Sequence, residues 1–304
     1  MLLSVPATSA NLGPGLDVLG LSLDFRNEFH ITRAKETSVE ILGEGQGVQR
    51  FLADNMFVKI FRKTLESIGA EDEARNGHFH FRFCNKIPVS RGMGSSSAVI
   101  IGAITAAYKL ANRPIDRNEI LRQALAYEPH PDNITPAAVG GFTMSMLGTG
   151  ADSGKVIYIK HAMPSYLRAV MVIPNRSTST KYSRQTLPKK YSSHEVVFNM
   201  SHTSILCAAI MQEKWDMLAL ASRDKLHQER RMRQYPILFS VQKCALENGA
   251  LMSTLSGSGS SFFNLCLADD MSHLLQSLQE RFYRFRVVPM RLDNDGLIIT
   301  DEKL

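Results

Sequence analysis

The sequence predicts an α+β protein, because strand-like and helix-like stretches come in blocks and not in a regular β-α-β alternation. Apolar residues alternate with smaller or polar ones at positions 21–25 and 79–83, and this period of two is typical of half-buried strands. An Ala- and Ile-rich run then spans residues 95–110, which predicts a well-buried helix. The sequence therefore predicts strands in the first third of the chain, followed by a buried helix.

The later elements follow from turn and capping signals. A second helix is predicted over residues 117–127 with Asp116 as its N-cap, and Gly140-Gly141 leads into a strand over residues 142–146. The polar stretch 148–155 predicts a connection between two lobes, residues 1–155 and residues 156–304. In the second lobe we expect strands at 167–173, 251–255 and 262–267, and helices at 193–212, 215–222, 236–247 and 272–282.

The composition is that of an ordinary globular protein of 304 residues, with 44% apolar and 21% charged residues. Lys and Arg exceed Asp and Glu by 35 − 29 = 6, and a basic surplus attracts nucleic acid, anionic membranes or anionic small molecules. The basic residues are mostly dispersed and form no module typical of RNA-binding proteins. We therefore expect an anionic nucleotide or a carboxylate substrate as the partner, and no nucleic acid.

The sequence also indicates a cytoplasmic protein. Its four cysteines are widely spaced and form no CxxC pair, so buried reduced thiols are expected in place of zinc ligands or disulfides. No stretch reaches the roughly 18 apolar residues of a membrane helix. Residues 1–6 lack the basic and apolar regions of a signal peptide. We therefore expect no membrane partner.

The strongest motif for chemistry is a glycine- and serine-rich turn between a strand and the buried helix. Backbone N–H groups converge in such a turn, the first N–H groups of the helix lack partners, and the helix dipole adds partial positive charge. A phosphate is the usual occupant of such a site. The alternative is a serine-capped helix after a glycine turn, while the spacing excludes a Walker A loop and a Rossmann fingerprint. The nucleotide-binding candidates are Pro88, Val89, Ser90, Arg91, Gly92, Met93, Gly94, Ser95, Ser96, Ser97 and Ala98.

Three motifs, in order along the chain, resemble those of the kinase superfamily named for galactokinase, homoserine kinase, mevalonate kinase and phosphomevalonate kinase (GHMP kinases). They are residues 6–17 (PATSANLGPGLD), the turn at 88–98, which binds ATP phosphates in that superfamily, and residues 255–260 (LSGSGS). In the last motif, Ser260 replaces the usual proline. The resemblance covers nearly the whole chain.

Further segments narrow the resemblance to the homoserine kinase family. They are residues 128–136 (EPHPDNITP) followed by Gly140-Gly141, Ser179-Thr180 with Arg184, and residues 224–228 (DKLHQ) followed by Arg231. Glu229-Arg230 stands where that family commonly has Pro-Tyr. The sequence therefore leaves open whether Arg230 or Arg231 reaches the substrate.

The resemblance implies a site for homoserine, residue by residue. Homoserine carries a carboxylate, which the planar fork of arginine binds through both oxygens, and an ammonium, which suits aspartates such as Asp17 and Asp132. The alternative role of each aspartate is to cap a turn or a helix. The implied substrate-binding residues are Asn11, Asp17, His130, Asp132, Arg184, Arg231 and Gly257.

The resemblance further implies ATP and Mg²⁺. Glu128 is the expected Mg²⁺ carboxylate, together with the Ser95 hydroxyl, since Mg²⁺ usually takes one or two carboxylates plus phosphate oxygens and water. A solvated charge after a helix is the alternative for Glu128. Thr180 matches a threonine near the reacting groups. Asn133 stands where mevalonate-type kinases carry an aspartate, so we expect no dedicated side-chain base.

The implied activity is transfer of the γ-phosphoryl group of ATP to the homoserine hydroxyl, giving O-phosphohomoserine on the route to threonine. The implied fold has two α+β lobes, the first like domain 2 of ribosomal protein S5 and the second ferredoxin-like, with the active site between them. A homodimer is compatible with the resemblance. The alternatives are another kinase of the superfamily (mevalonate-type or isoprenoid-precursor), a ligand-binding regulator on the same fold without turnover, and an RNA-binding protein.

Overall fold

The computed structural model describes residues 1–178 and 180–300, with the backbone alone for residues 180–182. Two short 3-10 turns lie at Gly150–Asp152 and Trp215–Met217. The strands are β1 (Leu2–Ala10), β2 (Leu19–Arg33), β3 (Ser38–Gly43), β4 (Phe79–Asn85), β5 (Phe142–Leu147), β6 (Val156–His161), β7 (Leu167–Ile173), β8 (Met252–Leu255), β9 (Phe262–Leu267), β10 (Arg286–Arg291) and β11 (Ile298–Thr300). The helices are α1 (Gln49–Ala53), α2 (Met56–Ser67), α3 (Glu71–Asn76), α4 (Ser95–Leu110), α5 (Arg117–Ala124), α6 (Pro131–Val139), α7 (Thr180–Gln185), α8 (Ser193–Met211), α9 (Leu218–Ala221), α10 (Gln228–Met232), α11 (Ile237–Glu247) and α12 (Met271–Arg281).

The first lobe is built on a seven-stranded sheet. Its main path runs β11-β1-β2-β4-β3, and β5 and β6 branch from β2. All pairs are antiparallel except β3 with β4. The inward side chains at every second position of β4 are phenylalanines, and they form an aromatic cluster with residues of β2 and α2. The predicted alternation in β4 therefore corresponds to one buried and one solvent-facing side of the sheet. In β2 the prediction of a half-buried strand is wrong for residues 19–23, which are buried on both faces.

Helix α4 lies in the middle of this core. It begins at Ser95 and ends at Leu110, as the sequence predicts, and most of its side chains are buried. Gly102 allows the helix to pack closely, because a Cβ at that position would lie 2.8 Å from the ring of Phe29. Helix α5 begins after Asp116, whose carboxylate accepts a hydrogen bond from the Asn118 backbone N–H at 2.9 Å. The predicted N-cap is therefore confirmed, but the helix ends at Ala124 and not at residue 127.

The prediction that the first third consists of strands is wrong for residues 49–76. Helices α1, α2 and α3 occupy this segment. In α2 the buried residues Phe57, Ile60, Phe61, Thr64 and Leu65 recur at helical spacing, which indicates an amphipathic helix and not a strand. These side chains cover the aromatic cluster. The buried face of α2 therefore follows the helical period of 3.6 residues.

The second lobe contains a four-stranded antiparallel sheet in the order β10-β7-β9-β8. In chain order this is 4-1-3-2, with helices between β7 and β8 and between β9 and β10, which is the ferredoxin-like arrangement. The buried apolar side chains of α11 and α12 pack against this sheet, where Val170, Val172 and Phe262 form the centre of a second core. The predicted strands and helices of this lobe are present within one or two residues of their expected ends, except the helix expected at 215–222, which is a 3-10 turn at Trp215–Met217 followed by α9.

The polar stretch 148–155 does not connect the two sheets. It joins β5 to β6, and these strands pair over residues 142–147 and 156–161 within the first sheet. The chain crosses to the second sheet after His161, and β11 returns at the end to pair with β1. We therefore propose a lobe boundary in residues 162–166 in place of 155/156, with residues 298–300 belonging to the first lobe.

No helix among the described residues is long and apolar enough to cross a membrane.

Candidate active site

A cleft of about 860 Å³ runs along the N-terminal end of α4. It is lined by parts of all three motifs, by the segment after α5 and by Arg184 of α7 and Arg231 of α10. Residues 88–97 of the predicted turn line it, whereas Ala98 is buried and does not. One end contains the charged residues that the resemblance assigns to the substrate, and the other end is lined by residues of α1, α2 and the end of β4.

The turn before α4 presents free backbone donors to this cleft. Gly94 is the N-cap residue, with φ of 69°, and no side chain caps the helix. The alternative of a serine-capped helix is therefore not what the structure has. Ser95, Ser96 and Ser97 all line the cleft, and of the three Ser97 is buried. With uncapped N–H groups and the positive end of the α4 dipole, the turn has the features of a phosphate site.

The third motif packs directly on this turn. A Cβ at Gly92 would lie 2.2 Å from the Ser256 carbonyl oxygen, and the residue has φ of 78°. The Ser256 hydroxyl donates to the Gly92 carbonyl at 2.6 Å, and the Ser261 backbone N–H donates to the Arg91 carbonyl at 3.0 Å. Two loops that are far apart in sequence therefore form one unit, and glycine is required at position 92 by space as well as by φ.

The first motif supports the turn from the other side through Thr8, which the sequence analysis did not single out. Its backbone N–H donates to the Met93 carbonyl at 3.2 Å, and its hydroxyl donates to Asn133 Oδ1 at 2.7 Å. A Cβ at Gly94 would lie 2.0 Å from the Thr8 hydroxyl. Asn133 thus lies beside the phosphate turn, where its amide has no proton-accepting basicity.

Asn11 is engaged within the protein. Its Nδ2 donates to the Gly257 carbonyl at 2.9 Å, and its Oδ1 accepts from the Asp17 backbone N–H at 3.0 Å. The residue itself has φ of 68°, a conformation that asparagine tolerates better than most residues. Asn11 and Gly257 line the cleft, and their contact joins the first motif to the third.

Asp17 and Arg184 form a bidentate ion pair at the substrate end of the cleft. Arg184 Nη1 and Nη2 donate to the two oxygens of Asp17 at 2.9 and 2.7 Å. Burial raises the pKa of Asp17, but the hydrogen bonds and the charge of Arg184 outweigh this, so the pKa lies below its usual value. The same hydrogen bonds raise the pKa of Arg184. Asp17 therefore pairs with an arginine side chain in place of capping a turn.

His130, Asp132 and Glu128 surround the start of α6. His130 is its N-cap and Pro131 its first residue, an arrangement that favours helix initiation. The His130 Nδ1 lies 2.8 Å from Glu128 Oε1, and this hydrogen bond raises the pKa of His130. Asp132 is buried, which raises its pKa to about 7, and the nearby charges of Asp17 and Glu128 act in the same direction.

The structure distinguishes the two neighbouring arginines. Arg231 is 7% exposed and lines the cleft, and its Nη1 donates to the Gly257 carbonyl at 3.1 Å. Arg230 does not line the cleft among the described residues, and its Nη2 donates to Glu195 at 2.6 Å. Of the two, Arg231 is therefore the one placed to meet a ligand in the cleft.

Two predicted features depend on residues whose side chains are not described. Ser179 and the side chain of Thr180 lie outside the described residues, so the role expected of Thr180 stays a prediction. The backbone of Thr180 begins α7, the helix that carries Arg184 into the cleft. The neighbouring Thr178 is tied to the phosphate turn, because its backbone N–H donates to the Ser90 carbonyl at 2.8 Å.

The far end of the cleft was missed by the sequence analysis. It is lined by Phe51, Asn55, Met56, Lys59 and Asn85 among others, most of them from helices α1 and α2 that were not predicted. The amphipathic spacing in α2 was the signal that would have revealed this wall.

The comparisons with known proteins agree with this architecture. The family described as GHMP kinases N terminal domain matches residues 55–141, and GHMP kinases C terminal matches residues 207–284. Among solved structures, a homoserine kinase from Cytophaga hutchinsonii superposes with a TM-score of 0.84 over 99% of this chain and 97% of its own, at 24% identity. A mevalonate kinase superposes with a TM-score of 0.71 over 97% of this chain and all of its own, at 15% identity. The chain has the N- and C-terminal domains of the GHMP kinases and their fold.

Sequence relatives define the family more closely. A homoserine kinase from Wolinella succinogenes is 54% identical over 301 residues, covering 99% of this chain and 100% of that protein. A homoserine kinase from Helicobacter pylori is 52% identical over 299 residues, covering 98% and 99% of the two chains. The chain belongs to the homoserine kinase family.

Proposed function

We propose that this protein transfers the γ-phosphoryl group of ATP to the side-chain hydroxyl of L-homoserine. The observation that carries the proposal is the pairing of two sites in one cleft: a phosphate-type turn that lines it, and carboxylates and arginines at its substrate end. An amino acid needs both charge signs in its site, and a triphosphate needs converging donors. Membership of the homoserine kinase family supports this substrate.

The charged end of the cleft favours an amino acid over other small alcohols. Arg184 and Arg231 are the proposed partners of the substrate carboxylate, and Asp17 and Asp132 those of its ammonium. A mevalonate-type substrate has no ammonium, so Asp132 would remain without a ligand partner in its buried position, which is unfavourable. Asp17 would keep its pairing with Arg184. The structural likeness to mevalonate kinase, at 15% identity, extends to the fold alone.

The described residues around the phosphate turn position groups and stabilise charge. The turn and the start of α4 offer backbone N–H groups for phosphate oxygens. Asn133, whose side chain accepts a hydrogen bond from Thr8, stands in the sequence where mevalonate-type kinases carry an aspartate. Phosphoryl transfer has a loose transition state, so alignment and charge stabilisation account for most of the catalysis. We propose that the substrate hydroxyl is aligned at this turn without a dedicated side-chain base.

The donors at the cleft fit Mg²⁺. A carboxylate and a hydroxyl are hard oxygen ligands of the kind this ion prefers, and Glu128 and Ser95 both line the cleft. Glu128 Oε1 contacts His130, and no described residue donates to its other oxygen. When bound, Mg²⁺ neutralises charge on phosphate oxygens. We propose that Glu128 and Ser95 hold it there.

The location and assembly of the protein are further parts of the proposal. All four cysteines are unpaired thiols, which supports the reducing cytoplasm. Helix α8 exposes Val197 and Met200 at 63% and 64%, and exposed apolar patches often mark subunit contacts. We propose a cytoplasmic homodimer, and light scattering of the purified protein with a Met200→Glu variant tests the assembly.

The function is tested with a substrate panel. ATP consumption in the presence of Mg²⁺ is measured with homoserine, threonine, serine and mevalonate, and the product is identified by ³¹P NMR. We expect turnover with homoserine to exceed that with each of the other three. A preference for mevalonate contradicts the substrate proposal, and nucleotide binding without any turnover favours the regulator alternative.

A further inference from the structure

His227 is fully buried directly behind Arg231, and it contacts two parts of the substrate end at once. Its Nε2 lies 2.7 Å from the Gly13 carbonyl oxygen, and its Nδ1 lies 3.1 Å from Arg231 Nη1. A carbonyl oxygen only accepts and a guanidinium only donates. The two contacts therefore require the neutral imidazole with its proton on Nε2 and its lone pair on Nδ1.

The position of the ring is held by Asp224. Its carboxylate accepts from the backbone N–H of His227 at 2.8 Å and of Gln228 at 2.6 Å, and from Asn199 Nδ2 at 2.7 Å. These donors occupy both oxygens of Asp224, which is itself buried. The carboxylate therefore anchors the start of α10 and leaves the imidazole to face Arg231.

The partners of Arg231 differ in kind from those of Arg184. Arg184 is paired with the carboxylate of Asp17, whereas no carboxylate of the described residues lies within ion-pair distance of Arg231. Its contacts are two neutral acceptors, the Gly257 carbonyl and the His227 ring, and its Nε has no partner among the described residues. A neutral acceptor orients a guanidinium without neutralising it, so the full positive charge stays available for an anion in the cleft.

We propose that His227 is a positioning residue, which holds the guanidinium of Arg231 in the orientation that receives the substrate carboxylate. This inference rests on the proposed function. The ring also ties Arg231 to the loop that carries Asn11 and Asp17, because Gly13 belongs to that loop. That loop is packed tightly, since a Cβ at Gly13 would lie 2.1 Å from the Ser222 carbonyl oxygen. His227 thereby sets the distance between the groups for the carboxylate and the ammonium.

The electrostatics of the site agree with a neutral ring. Burial lowers the pKa of His227; Asp224 opposes this shift and Arg231 adds to it. Burial also lowers the pKa of Arg231, with Arg184 acting in the same direction and Asp17, Asp132 and Asp224 against it. A protonated ring would direct an N–H group at Arg231, so the neutral form is the one compatible with the contact.

Two substitutions separate the two contacts of the ring. In His227→Gln the side-chain amide places a donor near the Nε2 position and loses the acceptor for Arg231, whereas His227→Asn keeps an acceptor near Nδ1 and loses the donor to Gly13. We expect His227→Gln to raise the KM for homoserine about tenfold with the KM for ATP nearly unchanged. We expect His227→Asn to affect the KM for homoserine much less. Equal effects of both variants, or parallel changes in both KM values, overturn the proposal.

A double-mutant cycle checks that the effect passes through Arg231. In an Arg231→Ala background, His227→Gln is expected to leave kcat/KM for homoserine unchanged, because coupled residues are non-additive. A full additional loss in that background contradicts the positioning role.

The wild-type protein gives a test that does not depend on folding of a variant. With ¹⁵N-labelled histidine, NMR is expected to show His227 as the neutral Nε2–H tautomer with and without homoserine, and a charged ring or the Nδ1–H tautomer overturns the inference. Different results would refute the proposed function and the proposed role of His227. No homoserine-dependent turnover by the wild type refutes the proposed function, whereas normal turnover with a His227→Gln variant of unchanged homoserine KM refutes the role of His227 alone.

Discussion

The two ends of the reaction site are built in different ways. The phosphate turn consists of consecutive residues, 88–98, and offers backbone N–H groups whose partial charge comes from the α4 dipole. The substrate end takes its charged side chains from four separate segments, and two of these side chains, Asp17 and Arg184, are already bonded to each other. Backbone N–H groups need no counter-charge, so the turn can have its binding conformation without a ligand. Side-chain charges do need one, and a substrate must exchange with the partners already in place.

Because the turn is held by close backbone packing, we expect the largest loss of activity from a substitution in the phosphate turn. Gly92→Ala places a Cβ 2.2 Å from the Ser256 carbonyl at φ of 78°, so the second and third motifs can no longer pack together. We expect kcat/KM to fall about 100-fold or more, because misplaced positioning groups cost this much, with ATP and homoserine affected alike. Steady-state kinetics with each substrate varied gives the measurement.

Gly154→Ala is the matched control for this prediction. Gly154 has φ of 80°, and a Cβ there meets nothing within 4 Å. It carries the same backbone strain, roughly 1–2 kcal/mol, without the collision. Similar activity losses in the two variants would show that strain and not loop packing matters at position 92.

At the substrate end the next largest effect is expected for Arg231→Ala, with Arg230→Ala as its neighbour and control. Loss of a buried charged partner costs roughly 2–5 kcal/mol, so kcat/KM for homoserine should fall at least 30-fold while the KM for ATP changes little. Arg230 contacts Glu195 away from the cleft, so its removal should change kcat/KM less than threefold, since surface ion pairs contribute little. Comparable losses in both variants contradict the assignment.

The third prediction concerns Glu128, the proposed Mg²⁺ ligand. Glu128→Gln retains an acceptor for His130 Nδ1 but loses the charge that Mg²⁺ prefers. We expect a lower kcat and a shift of the Mg²⁺ titration to about tenfold higher concentration. The exposed Glu229→Gln provides the control. An Mg²⁺ titration that is the same in Glu128→Gln and the wild type removes Glu128 from the metal site.

The smallest effect is expected on stability and depends on pH. The pKa of Asp132 is raised to about 7 in the folded protein from 3.8, so the folded state binds the proton more tightly than the unfolded state does. Stability therefore falls as pH rises from near 4 to near 7 and is constant above that. Asp132→Asn removes this penalty, and we expect its Tm to exceed that of the wild type by roughly 2–5 °C at pH 8.

The same variant near pH 4 is its own control, because the folded and unfolded states differ little there in the proton bound by Asp132, so the Tm difference should be small. Calorimetry at both values of pH decides between the outcomes. A Tm difference that does not depend on pH means that Asp132 does not titrate in this range. We also expect weaker homoserine binding by Asp132→Asn, since the amide offers the ammonium no charge.

Local features of the molecule could be predicted from the sequence because each depends on neighbouring residues. The start of α4, the Asp116 cap and the glycine turn are set by backbone propensity within a few positions, and strand alternation in β4 follows from its two faces. The family could be recognised from motifs for the same reason. The helices at residues 49–76 were not predicted, although the helical spacing of apolar residues in α2 is present in the sequence.

By itself, the sequence was enough to recognise the family and to predict the glycine- and serine-rich turn before α4 and the charged residues proposed to bind a substrate. Only the tertiary structure decided how those residues combine: that Asp17 pairs with Arg184 across 167 positions of chain, that Arg231 and not Arg230 lines the cleft, and that His227 lies behind it. The physical reason is that a hydrogen bond in a turn is set by adjacent dihedral angles, whereas a buried charge takes its partner from whichever segment the packing of both sheets brings near.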